Sequence, residues 1–251
     1  MNILRSLIMV FGMYSKIPMP KIEWEEKNMK YMMMLFPLVG LFEGLLFFGL
    51  WKILFFFKIS EYLRAGLITV FPLLYTGGIH MDGFLDTSDA LGSHLGRERK
   101  LDILKDCHIG GSALTAALVY IILYYSAALS LKEEAQIIIL SLIFIISRAY
   151  SALSVLCFRN ARGEGSLMQL RNASERALSC AILILIILIF SLAAALYRPS
   201  IGIVSSISLY ICFYYNRLFV CRQFGGITGD IAGFFLQLAE LVGILAIALV
   251  S

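Results

Sequence analysis

The chain has 251 residues, of which 60% are hydrophobic and only 15% charged, against about 25% charged in soluble domains, so an ordinary water-soluble globule is excluded. Five cysteines, at positions 107, 157, 180, 212 and 221, form no CxxC pair, and neither a disulfide framework nor a zinc knuckle is expected. The net charge of +4 is modest, with Lys and Arg scattered through short loops, which argues against a nucleic-acid partner.

In chain order, the first apolar run covers residues 6–14 and stops before Pro18 and Pro20. It is too short to span, and no small-residue cleavage site follows it, so an interfacial or re-entrant helix is expected. Seven candidate spans follow, near residues 31–57, 63–80, 111–131, 135–158, 177–197, 200–221 and 231–250. Each approaches the roughly 20 apolar residues that cross a bilayer core. The expected fold is an all-α polytopic integral membrane helix bundle of about seven transmembrane helices, a single membrane enzyme domain over residues 1–251. Gly40 and Gly44, with Gly49 beyond, are candidates for a close helix contact in the first span.

Fifteen Lys and Arg fall before the first span, in the 81–110 and 159–176 loops and near 217–230, against four in the intervening connections. Cytoplasmic loops are the basic ones, so the N-terminus is expected inside and the C-terminus outside. The bilayer is thereby the first expected partner.

Polar chemistry is crowded into one stretch. Five of the six aspartates (82, 86, 89, 102 and 106) and all three histidines (80, 94 and 108) lie between 80 and 108. If 79–90 is helical, Asp86 sits about 40° and Asp89 about 20° from Asp82 around the axis, so the three carboxylates share one face. Three anions a turn apart repel unless a cation sits among them, and hard oxygen ligands suit Mg²⁺, with Mn²⁺ as the alternative. Asp102 and Asp106 follow, a turn apart on a short amphipathic segment, and a bend at Gly92 and Gly96 would bring them to face the first row. Two such rows are what a two-metal phosphoryl-transfer centre requires. The competing reading pairs them with Arg99 and Lys105 on a solvated helix.

Two further features lie elsewhere. The run Gly225-Gly-Ile-Thr-Gly-Asp230 opens the last span, where backbone amides and a positive helix end can hold an anion and Asp230 can add a carboxylate or simply cap the helix. Arg148 interrupts an apolar span, where an unpaired cation costs on the order of 2.5 to 3.5 kcal/mol, so it should face the bundle interior with a carboxylate or phosphate partner. The site assigned on these grounds takes Asp82, Asp86, Asp106 and Arg148 as catalytic groups. Its metal ligands are Asp82, Asp86, Asp89, Asp102, Asp106 and Asp230, and Arg97, Arg99, Lys105, Gly226 and Thr228 are its substrate contacts.

Taken together, Lys16-Ile-Pro-Met-Pro20, Phe36-Pro-Leu-Val-Gly40, Thr76-Gly-Gly-Ile-His-Met-Asp-Gly-Phe-Leu-Asp-Thr-Ser-Asp89, Lys105-Asp106, Ser147-Arg148 and Gly225-Gly-Ile-Thr-Gly-Asp230 resemble the cobalamin synthases, the adenosylcobinamide-GDP ribazoletransferases. The resemblance implies a bacterial or archaeal cytoplasmic-membrane enzyme with its site on the inner face. It would use a divalent metal to join adenosylcobinamide-GDP to α-ribazole or its 5′-phosphate, releasing GMP. Partners would then include those substrates, a second copy of the chain or other cobalamin-assembly enzymes. The acidic block is also similar to that of the CDP-alcohol phosphotransferases, although Asp82-Gly83 runs through Phe84 and Leu85 to Asp86 without that motif's spacing. A second departure is Ala90, where the ribazoletransferases often carry glycine. A cation or corrinoid transporter is the rival of another class, because Glu43 and Glu240 fall inside expected spans.

Overall fold

A computed structural model of the chain describes residues 2–163 and 165–250. The elements are helices α1 (Asn2–Tyr14), α2 (Glu26–Met29), α3 (Met32–Phe56), α4 (Glu61–Thr76), α5 (Ile79–Gly92), α6 (Arg97–Ile103), α7 (Gly111–Ser130), α8 (Glu134–Cys157), α9 (Ser166–Ala173), α10 (Arg176–Tyr197), α11 (Pro199–Tyr215), α12 (Cys221–Phe224) and α13 (Gly229–Val250), with a π-helical turn at Asn216–Val220. Six segments are long and apolar enough to cross a membrane: α3, α7, α8, α10, the stretch Pro199–Phe224, and α13. The all-α polytopic bundle is therefore the observed architecture, and α1, at 13 residues, is a short helix of about 20 Å packed on α3.

The second expected span departs from the sequence reading. It is a broken pair, α4 and α5, whose axes differ by 95°. Gly77 (φ +67°) and Gly78 (φ +80°) both adopt the left-handed conformation that ends a helix cheaply only at glycine. As a result, the acidic block forms a helix of its own, set at a steep angle to α4 and packed on α13 and α7.

At the centre, α3 and α8 pack along their lengths. A Cβ added to Gly40 would lie 2.3 Å from the Phe144 carbonyl, and one on Gly44 2.7 Å from that of Ser141, so both glycines set the close approach, while Gly49 faces open space. α8 and α13 are the most enclosed spans. Leu183 and Ile187 of α10 and Leu209 and Phe213 of α11 are buried against the bundle, while the remaining apolar surface of α10 and α11 faces outward.

The two ends of the bundle differ in charge. At one end, Arg97 donates to the carbonyls of Phe224 and Ala161, and Asn160 and Ile227 form a parallel bridge. Lys16 lies against Gly77 at the same end. The opposite end carries the ion pairs Lys52–Glu134 and Arg198–Glu133. The basic loops thus gather on one face, the cytoplasmic one by the distribution of Lys and Arg, and the acidic helix lies on that face.

Candidate functional site

Helix α5 is amphipathic across its width. Gly83, Phe84, Thr87 and Ala90 are buried, Asp82 is exposed, and Asp86 and Asp89 are partly covered at the edge of the buried arc. Phe84 stacks on Phe234 of α13 (5.3 Å, 11°) and lies 5.4 Å from Tyr120 of α7, which fixes the rotation of α5 and leaves the aspartate face free. Gly83 permits the contact with α13, since a Cβ there would lie 2.6 Å from the Asp230 carbonyl. This crossing brings Asp230 to the acidic row. Asp86 accordingly lies in the negative field of Asp82, Asp230 and Asp89.

Asp230 begins α13 under a threonine cap. The Thr228 hydroxyl accepts from the Ile231 amide (3.2 Å) and donates to Asp230 Oδ2 (3.3 Å). Arg162 approaches the same Asp230 oxygen at 3.7 Å. Two hollows adjoin Asp230. One is a cavity of about 170 Å³ whose walls are mainly apolar and whose polar rim includes Asp82 and Asp230. The other is a polar cleft lined by Lys105, Asn160, Arg162, Ser166, Thr228 and Asp230.

Other expected residues lie elsewhere. Asp89 turns its carboxylate to α7, accepting the amides of Gly110 (2.5 Å) and Ala113 (2.8 Å). Helix α6 ends at Ile103, so Asp106 is not a turn beyond Asp102 on one helix; it pairs with His108 at 2.6 Å. That imidazole, together with the His108 amide, holds Asp106 below the usual carboxylate range. Neither Asp102 nor Asp106 lines either hollow, and the face-to-face arrangement of two acidic rows is not formed. Among the described residues, the one group of three metal-ligating side chains whose donor atoms lie within 4.8 Å of one another is the exposed Asp106, Cys107 and His108. The α5 carboxylates are spread more widely along their helix.

Of the expected substrate contacts, Lys105 and Thr228 line the polar cleft. Arg97 is engaged by backbone carbonyls, and Arg99 lies on a separate surface of α6. The Gly226 amide donates to the Cys221 carbonyl (2.8 Å) and that of Ile227 to Arg159 (2.7 Å), so the glycine run spends these amides on its own fold. A Cβ on Gly226 would lie 2.3 Å from the Arg159 carbonyl. Arg148 is fully buried and bonded to Glu43 (2.5 Å) and Glu240 (2.6 Å), tying α8 to α3 and α13. Its partners are carboxylates, and the acids that suggested an ion pathway are consumed by it. Arg162 is one of four arginines in the 159–176 loop, and no spacing in the sequence sets it apart from the others. His80, in the acidic motif, is buried and lines the apolar cavity.

The family described as cobalamin-5-phosphate synthase matches residues 6–248 of the chain. An adenosylcobinamide-GDP ribazoletransferase of Lachnoclostridium phytofermentans is 38% identical over 99% of this chain and 95% of its own. Proteins of the same name from Clostridium botulinum and Listeria monocytogenes are 30% and 28% identical, over 99% and 98% of this chain and 98% of each relative. No solved structure matches.

Proposed function

The chain belongs to the cobalamin-5-phosphate synthase family, a family of transferases, and on that premise we propose that it joins adenosylcobinamide-GDP to α-ribazole or its 5′-phosphate on the inner face of the membrane. The observation that carries this reading is the position of Asp230, shared by an apolar cavity and a cationic cleft. Such a pair of hollows suits two substrates of different character meeting at one acidic edge.

In the proposed reaction, a ribose hydroxyl oxygen forms a bond to the phosphorus that carries the corrinoid side chain. The bond from that phosphorus to the oxygen bridging to GMP breaks, and GMP leaves with the bonding electrons. The hydroxyl proton passes to a carboxylate, with Asp82 and Asp230 the candidates because both edge the apolar cavity. Lys105 and Arg162 would hold the phosphates in the cleft, where fixed cations offset the charge that develops on transfer.

A divalent metal fits the donor set. Asp82, Asp86 and Asp230 are hard oxygen donors, and their mutual repulsion is answered on the protein side by Arg162 alone among the charges acting on Asp230. These three, whose donor atoms do not all lie within 4.8 Å of one another, would have to turn together to hold Mg²⁺, or Mn²⁺, which when bound would neutralise phosphate charge. Asp89 would orient α5 through its bonds to the start of α7.

The test is release of GMP from adenosylcobinamide-GDP by the purified wild-type protein, with α-ribazole and Mg²⁺ present. Release that depends on both additions, and is lost in Asp82→Asn, supports the proposal. CMP release from a CDP-alcohol donor under the same conditions would replace it with the phosphotransferase reading.

A further inference from the structure

The cavity beside Asp82 has features that phosphate chemistry does not use. Tyr14, Phe36 and His80 form one wall, with Tyr14 and Phe36 centroids 4.4 Å apart and the His80 ring stacked 5.8 Å from Tyr14 at 20°. Val155, Leu167, Leu170 and Leu236 add aliphatic surface, with Ser151 and Ser166 among them. His80 is 4% exposed, lines this cavity, and its Nε2 has no hydrogen-bond partner. A buried polar atom left unpaired carries a desolvation cost that nothing in the protein offsets. The cost is removed when a ligand supplies the partner.

We infer that this cavity is the seat of the heterocyclic base of the incoming nucleoside, a flat bicyclic azole whose one free ring nitrogen bonds His80 Nε2. The inference rests on the ribazoletransferase reading and adds the residues that choose the base. Size supports it, since 170 Å³ is little more than the roughly 150 Å³ of an apolar cavity that holds benzene. A corrin macrocycle is far too large. Guanine would fit by area but carries several donors and acceptors along its edge, more than the two lining serines, Ser166 and the Ser151 that already donates to Ala232, can pair. A benzimidazole presents a single ring nitrogen, which accepts the Nε2 proton. With the base inside, the attached ribose lies at the polar rim, beside Asp82 and Asp230, where its hydroxyl is to react.

His80→Phe separates the hydrogen bond from the shape, since the ring stays against Tyr14 and Phe36. Loss of one hydrogen bond corresponds to about a tenfold change in affinity. In the purified protein, KM for α-ribazole should rise at least tenfold while KM for adenosylcobinamide-GDP stays within twofold. A nucleoside with indole in place of benzimidazole should be a poor substrate of the wild type and lose no further ground in His80→Phe. Leu167→Trp, which fills the cavity from its rim, should likewise raise KM for α-ribazole alone. Direct titration of wild-type protein with free 5,6-dimethylbenzimidazole, which needs no turnover, should show binding that weakens in both variants.

An unchanged α-ribazole KM and unchanged benzimidazole binding in His80→Phe and Leu167→Trp, with GMP release intact, would overturn the base seat and leave the reaction standing. No GMP release from the wild type would instead overturn the reaction.

Discussion

Gly83 of α5 lies directly against the backbone of Asp230 in α13, so close that a methyl group on it would sit 2.6 Å from the Asp230 carbonyl and 2.9 Å from its Cα. Main-chain atoms cannot swing away as a side chain can, and Gly83→Ala must part the two helices by roughly an ångström. That movement separates Asp82 and Asp86 from Asp230 without deleting any carboxylate. Because displacement on this scale costs about a hundredfold in rate, GMP release by Gly83→Ala is expected to fall by about that factor. Gly49→Ala, on a helix face with open space around it, is the matched control. Equal activity of the two variants would show that the crossing does not set the site.

The three carboxylates that meet at this crossing should respond as a group to metal. Mg²⁺ binding only to the folded state raises stability by about 2.7 kcal/mol at a hundredfold excess over its dissociation constant. The melting temperature of the purified wild type is therefore expected to rise with Mg²⁺, and to rise much less in Asp86→Asn or Asp230→Asn. Asp102→Asn, outside both hollows, should keep the full Mg²⁺ shift. A shift lost equally in Asp102→Asn would move the metal to α6.

The spans were legible because runs of apolar residues near twenty long have few other uses, and the basic loops fixed their alternation. The acidic block was legible as a helix face because three aspartates at positions 82, 86 and 89 match the helical period. What pattern could not supply was the direction of each side chain after the chain turned. Gly77 and Gly78 belonged to a motif, but the 95° bend they make depends on both taking positive φ. Asp89 had the spacing of a ligand and is drawn instead to the amides of the next span, which no count along α5 could reveal. Glu43 and Glu240, read singly as marks of an ion pathway, are partners of Arg148 across about a hundred residues of sequence or, more exactly stated, 105 and 92.

Asp89 offers a separation of structure from chemistry. Its carboxylate takes two amides at the start of α7, the service an N-cap performs, and losing such a cap costs about 1 to 2 kcal/mol. Asp89→Ala should lower the melting temperature by an amount corresponding to that loss. Asp89→Asn keeps one carbonyl oxygen for the amides and should retain most of the stability together with most of the turnover. Abolished turnover in a stable Asp89→Asn would return Asp89 to the metal ligands.

The buried triad makes a sharper demand on charge. Arg148 faces two carboxylates, Glu43 and Glu240, all three essentially without solvent, and one oxygen of Glu43 has no hydrogen-bond partner. Removing the cation in Arg148→Met strands both carboxylates in an apolar interior, where breaking a buried pair costs about 3 to 5 kcal/mol. Glu43→Gln acts differently. It leaves Arg148 bonded to Glu240, keeps an oxygen for the guanidinium, and removes the second of two anions set against a single cation. Thermal unfolding in detergent should therefore show Arg148→Met strongly destabilised and Glu43→Gln close to the wild type, with GMP release per folded molecule preserved in the latter. If the two variants fell equally, the triad would be a network in which every charge is required, and the separation of its packing role from the aspartate site would fail.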